Sequence, residues 1–329
     1  AVSGFTTISI GDTIADPINP EALPPISIEP PTVKMTFGVN TSPFAGKEGR
    51  WCTSRNIRER LYKELETDVA LKVEEGKTAD VFTVSGRGEL HLAILIERMR
   101  REGYEFQVSR PEVIYKFENN EKLAPYEQVF IEVPELYQGV VIEKMSRRRA
   151  EMLDMKVENS VAHMRFMIPT EGLFGYRTEY MTDTKGLGIM NTLFEGYKKY
   201  VAPTEANMHG SLIAFETGES LTYGLLGAQE RGTLFIGPNV QVYKGMVVGT
   251  SPKGDDVEIN VCREKKLSNM RSKGDGKSGI LDVPRSLTLE ESLEYIGDDE
   301  LVEITPITIR IRKKILDENE RKRLLKSTA

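Results

Sequence analysis

The chain has 329 residues, 39% hydrophobic and 29% charged, which suits two or three folded domains and excludes a disordered tail or a small disulfide scaffold. With 44 Lys and Arg against 50 Asp and Glu the net charge is −6, so no whole-chain attraction to nucleic acid exists and any such contact needs a local patch. No apolar run is long enough to span a bilayer, and Ala1-Val2-Ser3-Gly4 does not read as a signal peptide. Cys52 and Cys262 form no Cys-x-x-Cys pair, which argues against disulfides and structural zinc and fits a reducing cytoplasm.

Phe5–Ile10 reads as a strand closed by the Gly11-Asp12 turn, either the tail of a preceding domain or a strand that joins a later sheet. Between Asp16 and Pro31 lie six of the 16 prolines, so residues 17–31 should form an extended linker. Thr32–Val39 alternates as a strand. Thr53 or Ser54 then caps a helix with Ile57, Leu61 and Leu65 on one face. Val69–Val73 and Val81–Ser85 are further strands. Gly86-Arg87-Gly88 opens a helix carrying Leu92, Leu95, Ile96 and Met99, Gly103 ends it, and Tyr104–Val108 is the last strand. The order βαββαβ is the ferredoxin-like plan.

A polar link, Glu118–Lys122, leads into the same order again: strand Gln128–Val133, helix Leu136–Ser146, strand Met152–Val157, a turn at Asn159-Ser160, a strand through Met164, Phe166 and Ile168, helix Gly172–Thr184 and strand Ile189–Phe194. Past Thr204 the pattern changes to short strands (Leu212–Phe215, Leu234–Ile236, Val240–Tyr243, Val257–Val261, Leu301–Thr305, Ile307–Ile311) with helices only at Leu221–Gln229, Thr288–Ile296 and Asp317–Lys326. The expected fold class is therefore α+β: two tandem ferredoxin-like sandwiches at 32–117 and 123–203, then a mostly β domain at 204–329.

Arg263–Lys277 holds six basic and two acidic residues, +4 in fifteen positions, with glycines that make it a loop. Such a segment can neutralise phosphates, although composition alone also describes an ordinary solvated loop. Asp282–Glu303 has eight acids and one base. Arg310, Arg312, Lys313 and Lys314 with Arg321, Lys322, Arg323 and Lys326 form a second basic cluster, and Arg147-Arg148-Arg149 a third. Catalytic signals fail: Gly276-Lys277-Ser278 lacks the glycine a phosphate loop needs at position 271, which is Arg, and Gly86-Arg87-Gly88 has His91 where a dinucleotide fingerprint needs glycine. His91, His163 and His209 share no metal spacing. No cofactor and no metal is expected.

Ser85-Gly86-Arg87-Gly88-Glu89-Leu90-His91-Leu92 resembles the strand-to-helix junction in the third domain of translational GTPases such as elongation factor G, and Leu173-Phe174-Gly175-Tyr176 through Thr184-Lys185-Gly186 resembles the second helix of their fifth domain. Gln229-Glu230-Arg231-Gly232, Val242-Tyr243-Lys244-Gly245, Lys266-Leu267-Ser268-Asn269-Met270-Arg271 and Asp299–Pro306 resemble the terminal domain of the TypA/BipA family, and this likeness runs through the chain from Phe5. It implies that residues 1–16 are the last strand of a preceding β-barrel and that the GTPase domain lies outside this chain, which would then not hydrolyse GTP. It implies a ribosome-binding role tied to 50S subunit assembly and stress, with the ribosome (rRNA, A-site tRNA, ribosomal proteins) as partner; a monomer without membrane or DNA partners is expected. In the family a terminal-domain loop meets tRNA and rRNA. Lys265, Lys266, Ser268, Asn269, Met270, Arg271 and Lys273 match that loop, with Ser268 for the usual Thr, and Arg321, Lys322 and Arg323 are added as candidate RNA contacts. The competing expectations are a small-molecule-sensing module, since tandem βαββαβ units also bind ligands between sheets, and a protein-binding scaffold.

Overall fold

The computed structural model describes residues 10, 12–24, 30–76, 78–201, 210–264 and 280–328. The strand expected at Phe5–Ile10 lies almost wholly outside them, and residues 12–24 carry neither helix nor strand. The chain folds into two compact units, one of Ala1–Val39, Arg50–Tyr104 and Pro111–Ala202, the other of Asn40–Gly49, Glu105–Arg110 and Pro203–Ala329.

In the first unit, β1 (Val33–Gly38) is followed by α1 (Ser54–Leu65), β2 (Lys72–Glu75), β3 (Val81–Gly86) and α2 (Glu89–Arg101). β3 pairs antiparallel with β1 and β2, with Met35 opposite Val84. Thr53 caps α1 by accepting the Asn56 N–H at 3.3 Å. The strand expected from Val69 begins only at Lys72: Asp68 holds the preceding turn, its carbonyl taking the Leu71 N–H and its carboxylate the Ala70 N–H. Apolar residues at helical spacing are buried on both helices, Ile57 and Leu61 on α1 and Leu92, Leu95, Ile96 and Met99 on α2. The next strand is β4 (Phe106–Val108), which groups with the second unit.

β5 (Glu112–Val113) pairs with β1, and β6 (Lys116–Glu118) opens a hairpin. Its partner is β7 (Glu121–Pro134), followed by α3 (Gln138–Arg147), β8 (Glu151–Glu158), β9 (Val161–Pro169), α4 (Tyr176–Asp183) and β10 (Ile189–Lys199). The expected polar link at Glu118–Lys122 is thus a turn: Asn119 and Asn120 take φ of 50° and 66°, which short polar side chains tolerate and a two-residue hairpin requires. The sheet order β10-β7-β9-β8 is the ferredoxin-like one. Val129, Ile131 and Val133 of β7 and Met164, Phe166 and Ile168 of β9 pack with Val141 and Met145 of α3 and Tyr176 and Tyr180 of α4. α4 starts later than its apolar pattern suggests because a 3-10 turn occupies Thr170–Leu173.

The second unit contains β11 (Gly210–Ala214), β12 (Gly218–Glu219), α5 (Thr222–Gln229), β13 (Thr233–Leu234), β14 (Gln241–Val242), β15 (Met246–Ser251), β16 (Val257–Ile259), α6 (Leu289–Tyr295), β17 (Glu300–Ile304), β18 (Ile309–Lys313) and α7 (Glu318–Thr328). The strands β16-β11-β15-β18-β17-β4 pair in that order, and β12 pairs with β14. Its core joins Leu212, Leu225, Leu234, Tyr243, Val248 and Val261. The fold class is α+β, as the sequence predicts.

Candidate nucleic-acid interface

Residues 265–279 lie outside the described residues, so Lys265, Lys266, Ser268, Asn269, Met270, Arg271 and Lys273 do too; what is described is the base from which that segment leaves and to which it returns. Both ends are fastened to α5. At its start the Leu221 N–H donates to the Val261 carbonyl at 2.9 Å, and Gly224 lies so close to that carbonyl that a Cβ would sit 2.4 Å from the oxygen. The Arg263 guanidinium stands 5.7 Å from the Tyr223 ring centroid. At the far end of the helix, Gln229 donates from Nε2 to the Ile280 carbonyl at 3.3 Å and accepts the Asp282 N–H on Oε1 at 2.8 Å. Eight helical residues span about 12 Å, so the two ends of the basic segment stand one short helix apart. Next to Val261, Cys262 is half-buried, and burial pushes its thiol up, away from the reactive thiolate.

The second basic cluster divides between interior and surface. Arg310, on β18, donates to Glu303 at 3.1 Å and pairs with Glu48. Arg312 is 2% exposed; it reaches Thr41 Oγ1 at 2.7 Å and Gln107, and burial lowers its affinity for a proton. Lys313 is ringed by Asp256 at 2.6 Å, Asp299 at 2.9 Å and Glu300 at 3.0 Å; burial opposes its charge, but these carboxylates outweigh it and hold the ammonium charged. Arg321 pairs with Glu258 and donates to the Ile315 and Leu316 carbonyls. Lys322, paired with Glu318, and Arg323 are exposed. The run reads as a surface charge stripe in one dimension, whereas the hairpin of β17 and β18 turns Arg310, Arg312 and Lys313 inward.

Those cations belong to a polar core that the sequence reading did not anticipate. Glu303 is fully buried: Oε1 accepts from Asn40 Nδ2 at 2.8 Å, Ser42 Oγ at 2.8 Å and Arg310, while Oε2 accepts the Tyr243 hydroxyl at 2.8 Å. Glu105, also fully buried, accepts the Gly46 N–H at 2.7 Å and the Gly49 N–H at 2.8 Å. Burial and the neighbouring Glu303 carboxylate together keep the Tyr243 phenol protonated far above its usual range. The available signal was two acid–base pairs facing across one hairpin, Glu300 opposite Lys313 and Glu303 opposite Arg310.

In the first unit Arg148 is committed internally, donating to the Gly172 and Phe174 carbonyls at 3.0 and 2.8 Å and to Glu179 at 2.9 Å. Arg147 pairs with Glu143, and Arg149 is exposed. His91 accepts the Arg87 N–H on Nδ1 and meets Asp68 at 2.5 Å through Nε2, a structural bridge from α2 to the turn before β2. His163 faces Glu132 at 3.8 Å, and His209 lies outside the described residues. Among the described residues, no helix is long and apolar enough to cross a membrane and no group of His, Cys, Asp and Glu could hold a metal ion.

Residues 209–318 match the family model of the TypA/BipA C-terminal domain, and residues 121–206 that of the elongation factor G C-terminus. The proteins named large ribosomal subunit assembly factor BipA are 49% identical over 314 residues in Synechocystis sp. (95% of this chain, 53% of that protein), 47% over 330 in Haemophilus influenzae (100% and 54%) and 45% over 329 in Bacillus subtilis (99% and 54%). A solved structure from Thermus thermophilus overlaps 53% of this chain and 41% of its own at 15% identity with a TM-score of 0.36, too slight a likeness to argue from. The chain spans about half the length of the curated relatives it matches. Both matched models are C-terminal ones, and together they cover residues 121–206 and 209–318. On this agreement of domain models and whole-chain identity, the chain belongs to the TypA/BipA family.

Proposed function

We propose that this chain is the ribosome-binding part of a GTP-dependent factor for large-subunit assembly, acting in the cytoplasm as a monomer, and that it places the basic segment 263–277 against rRNA and the acceptor end of A-site tRNA. The observation that carries this reading is the anchoring of both ends of a +4 segment on the single helix α5, inside the region that matches the TypA/BipA C-terminal domain. A basic segment held at both ends loses less freedom on binding than a free tail, so more of its phosphate attraction appears as affinity. Lys265, Lys266, Arg271 and Lys273 would neutralise phosphates, Ser268 and Asn269 would meet sugars or base edges, and Met270 would lie against a base. Of the added candidates, Lys322 and Arg323 are exposed for such contacts, while Arg321 would hold α7 in place. The relatives' printed name, large ribosomal subunit assembly factor, supports the partner.

The test is co-sedimentation of the chain with 70S ribosomes and with separated subunits at low and moderate salt. Binding should weaken steeply with salt, and replacing Lys265, Lys266 and Arg271 by Gln should weaken it about tenfold or more, because each lost phosphate contact removes roughly one unit from the salt slope. Undiminished binding by that variant would overturn the reading. Added GTP should leave the melting temperature of the chain unchanged.

A further inference from the structure

Where β6, β7 and β10 run side by side in the first unit, one face of the sheet alternates aromatic rings with lysines. Phe117 pairs across from Lys122, the Tyr200 N–H bonds the Lys122 carbonyl at 2.9 Å, and Ala124 lies opposite Lys198. Side chains two apart on a strand share a face, so Lys122 and Tyr126 stand with Phe117, Lys198 and Tyr200. The contacts agree with that placement. Lys122 Nζ sits 3.6 Å from the Tyr115 centroid and 4.0 Å from that of Tyr200, whose rings meet edge to face at 5.3 Å, and Lys198 Nζ stands 5.7 Å from Tyr126. Phe117 is 74% exposed. The hairpin's carboxylates, Glu118 and Glu121, alternate to the opposite face, where Glu121 pairs with Lys199 at 2.9 Å; the acid that reaches the aromatic group is Glu171, which accepts the Tyr115 hydroxyl at 3.2 Å.

We propose that this face is a second RNA-contact surface, distinct from the basic segment 263–277, and that its ligand is unpaired RNA nucleotides. Two features select that ligand. Lysines spaced between rings match a chain that alternates phosphates with flat bases, and ring faces stack on any base without regard to sequence. Duplex RNA hides its bases inside the helix and offers the rings nothing to stack on. In the free protein the half-buried Lys122 ammonium rests between the two rings, and an arriving base can take a ring face while the ammonium moves to the adjoining phosphate.

The experiment is fluorescence anisotropy of the full chain with a labelled oligouridine of about twelve nucleotides and with an RNA duplex of equal length. The single strand should bind at least about tenfold more tightly than the duplex at low salt. Lys122→Gln with Lys198→Gln should weaken it about tenfold and lower the salt slope by about 1.4, at roughly 0.7 per phosphate contact on single strands. Phe117→Ala, at an exposed position that carries no folding cost, should weaken it about fivefold or more. Circular dichroism checks that each variant is folded. The proposal is overturned if the single strand does not bind, if the duplex binds as well, or if only the Lys265→Gln, Lys266→Gln, Arg271→Gln variant loses affinity. That last result would leave the basic segment standing alone as the RNA contact.

Discussion

Asn40 and Glu303, 263 residues apart in sequence, meet with Nδ2 2.8 Å from Oε1, and the same Asn40 amide nitrogen lies 2.9 Å from Glu105 Oε1. One neutral side chain thus donates to two buried carboxylates, and the Arg310 guanidinium donates to Glu303 as well. The cluster fastens residues 40–49 and 105–110 to β17 and β18 within the second unit.

Removing a donor from this cluster should be costly because the acceptors are charged and water cannot replace the lost partner. Asn40→Ala should cost about 2–3 kcal/mol or more, and Asn40→Asp, which adds a third carboxylate, at least as much. Tyr243→Phe removes only the hydroxyl at 2.8 Å from Glu303 and should cost about 1.5–3 kcal/mol. Urea unfolding of the three variants gives the order, and a Tyr243→Phe midpoint equal to wild type would show that Glu303 is satisfied without the phenol.

The base of the basic segment gives a prediction that separates anchoring from charge. Gln229→Ala removes the contacts to Ile280 and Asp282 without touching a cation; since these bonds are solvent-accessible, stability should fall by only about 0.5–1.5 kcal/mol. Ribosome affinity should fall with an unchanged salt slope, because no phosphate contact is lost. Gly224→Val should be more severe, since even its Cβ would overlap the Val261 carbonyl. A lower salt slope in Gln229→Ala would show that the residue does more than hold the segment.

Much of the fold follows from periodicity. The apolar spacing of Ile57 and Leu61, and the alternation of Met164, Phe166 and Ile168, place helices and strands because each element buries a single face. β15 has no strand signature in the sequence, since Met246, Val247 and Val248 are all buried and leave no alternation to read. The hairpin at Asn119-Asn120 is not distinguishable in the sequence, because a polar pair signals a tight turn and a loose linker equally well. The basic clusters were harder: charge along a sequence says nothing about direction, and only the pairing of Glu300 with Lys313 and Glu303 with Arg310 across a hairpin reveals cations turned inward. The Asn40–Glu105–Tyr243–Glu303 cluster joins four separate stretches, and no local pattern marks it.

Two helices end in the same hydrogen-bonded geometry with different residues at the left-handed position. After α2 the Tyr104 N–H bonds the Met99 carbonyl and the Gly103 N–H that of Arg100, with Gly103 at φ 93°. After α3 the Ala150 N–H bonds Met145 and the Arg149 N–H bonds Ser146, with Arg149 at φ 65°. A side chain in that conformation costs about 1 kcal/mol, so Arg149→Gly should stabilise the chain and Gly103→Ala should destabilise it by about that amount each. Thermal unfolding checks both signs, and a lower midpoint for Arg149→Gly would mean that its side chain makes a compensating contact.

On α2, Glu97 accepts from Arg100 at 2.7 Å and from Arg101 at 2.7 Å. The Arg100 hydrogen bond, opposed by partial burial and aided by Arg101, brings its carboxyl down from 4.5 to about 2. A depressed acid stabilises the fold above its unfolded value and loses that contribution as pH falls through the folded one, so the effect is complete above about pH 4.5 and gone near pH 2. Glu97 is 28% exposed, and solvent screening keeps the contribution small. Wild type should therefore exceed Glu97→Gln in urea midpoint at pH 6 by a modest margin that closes as the pH is lowered through this window. A margin that stayed constant down to pH 2 would locate the loss in packing of the side chain and not in its charge.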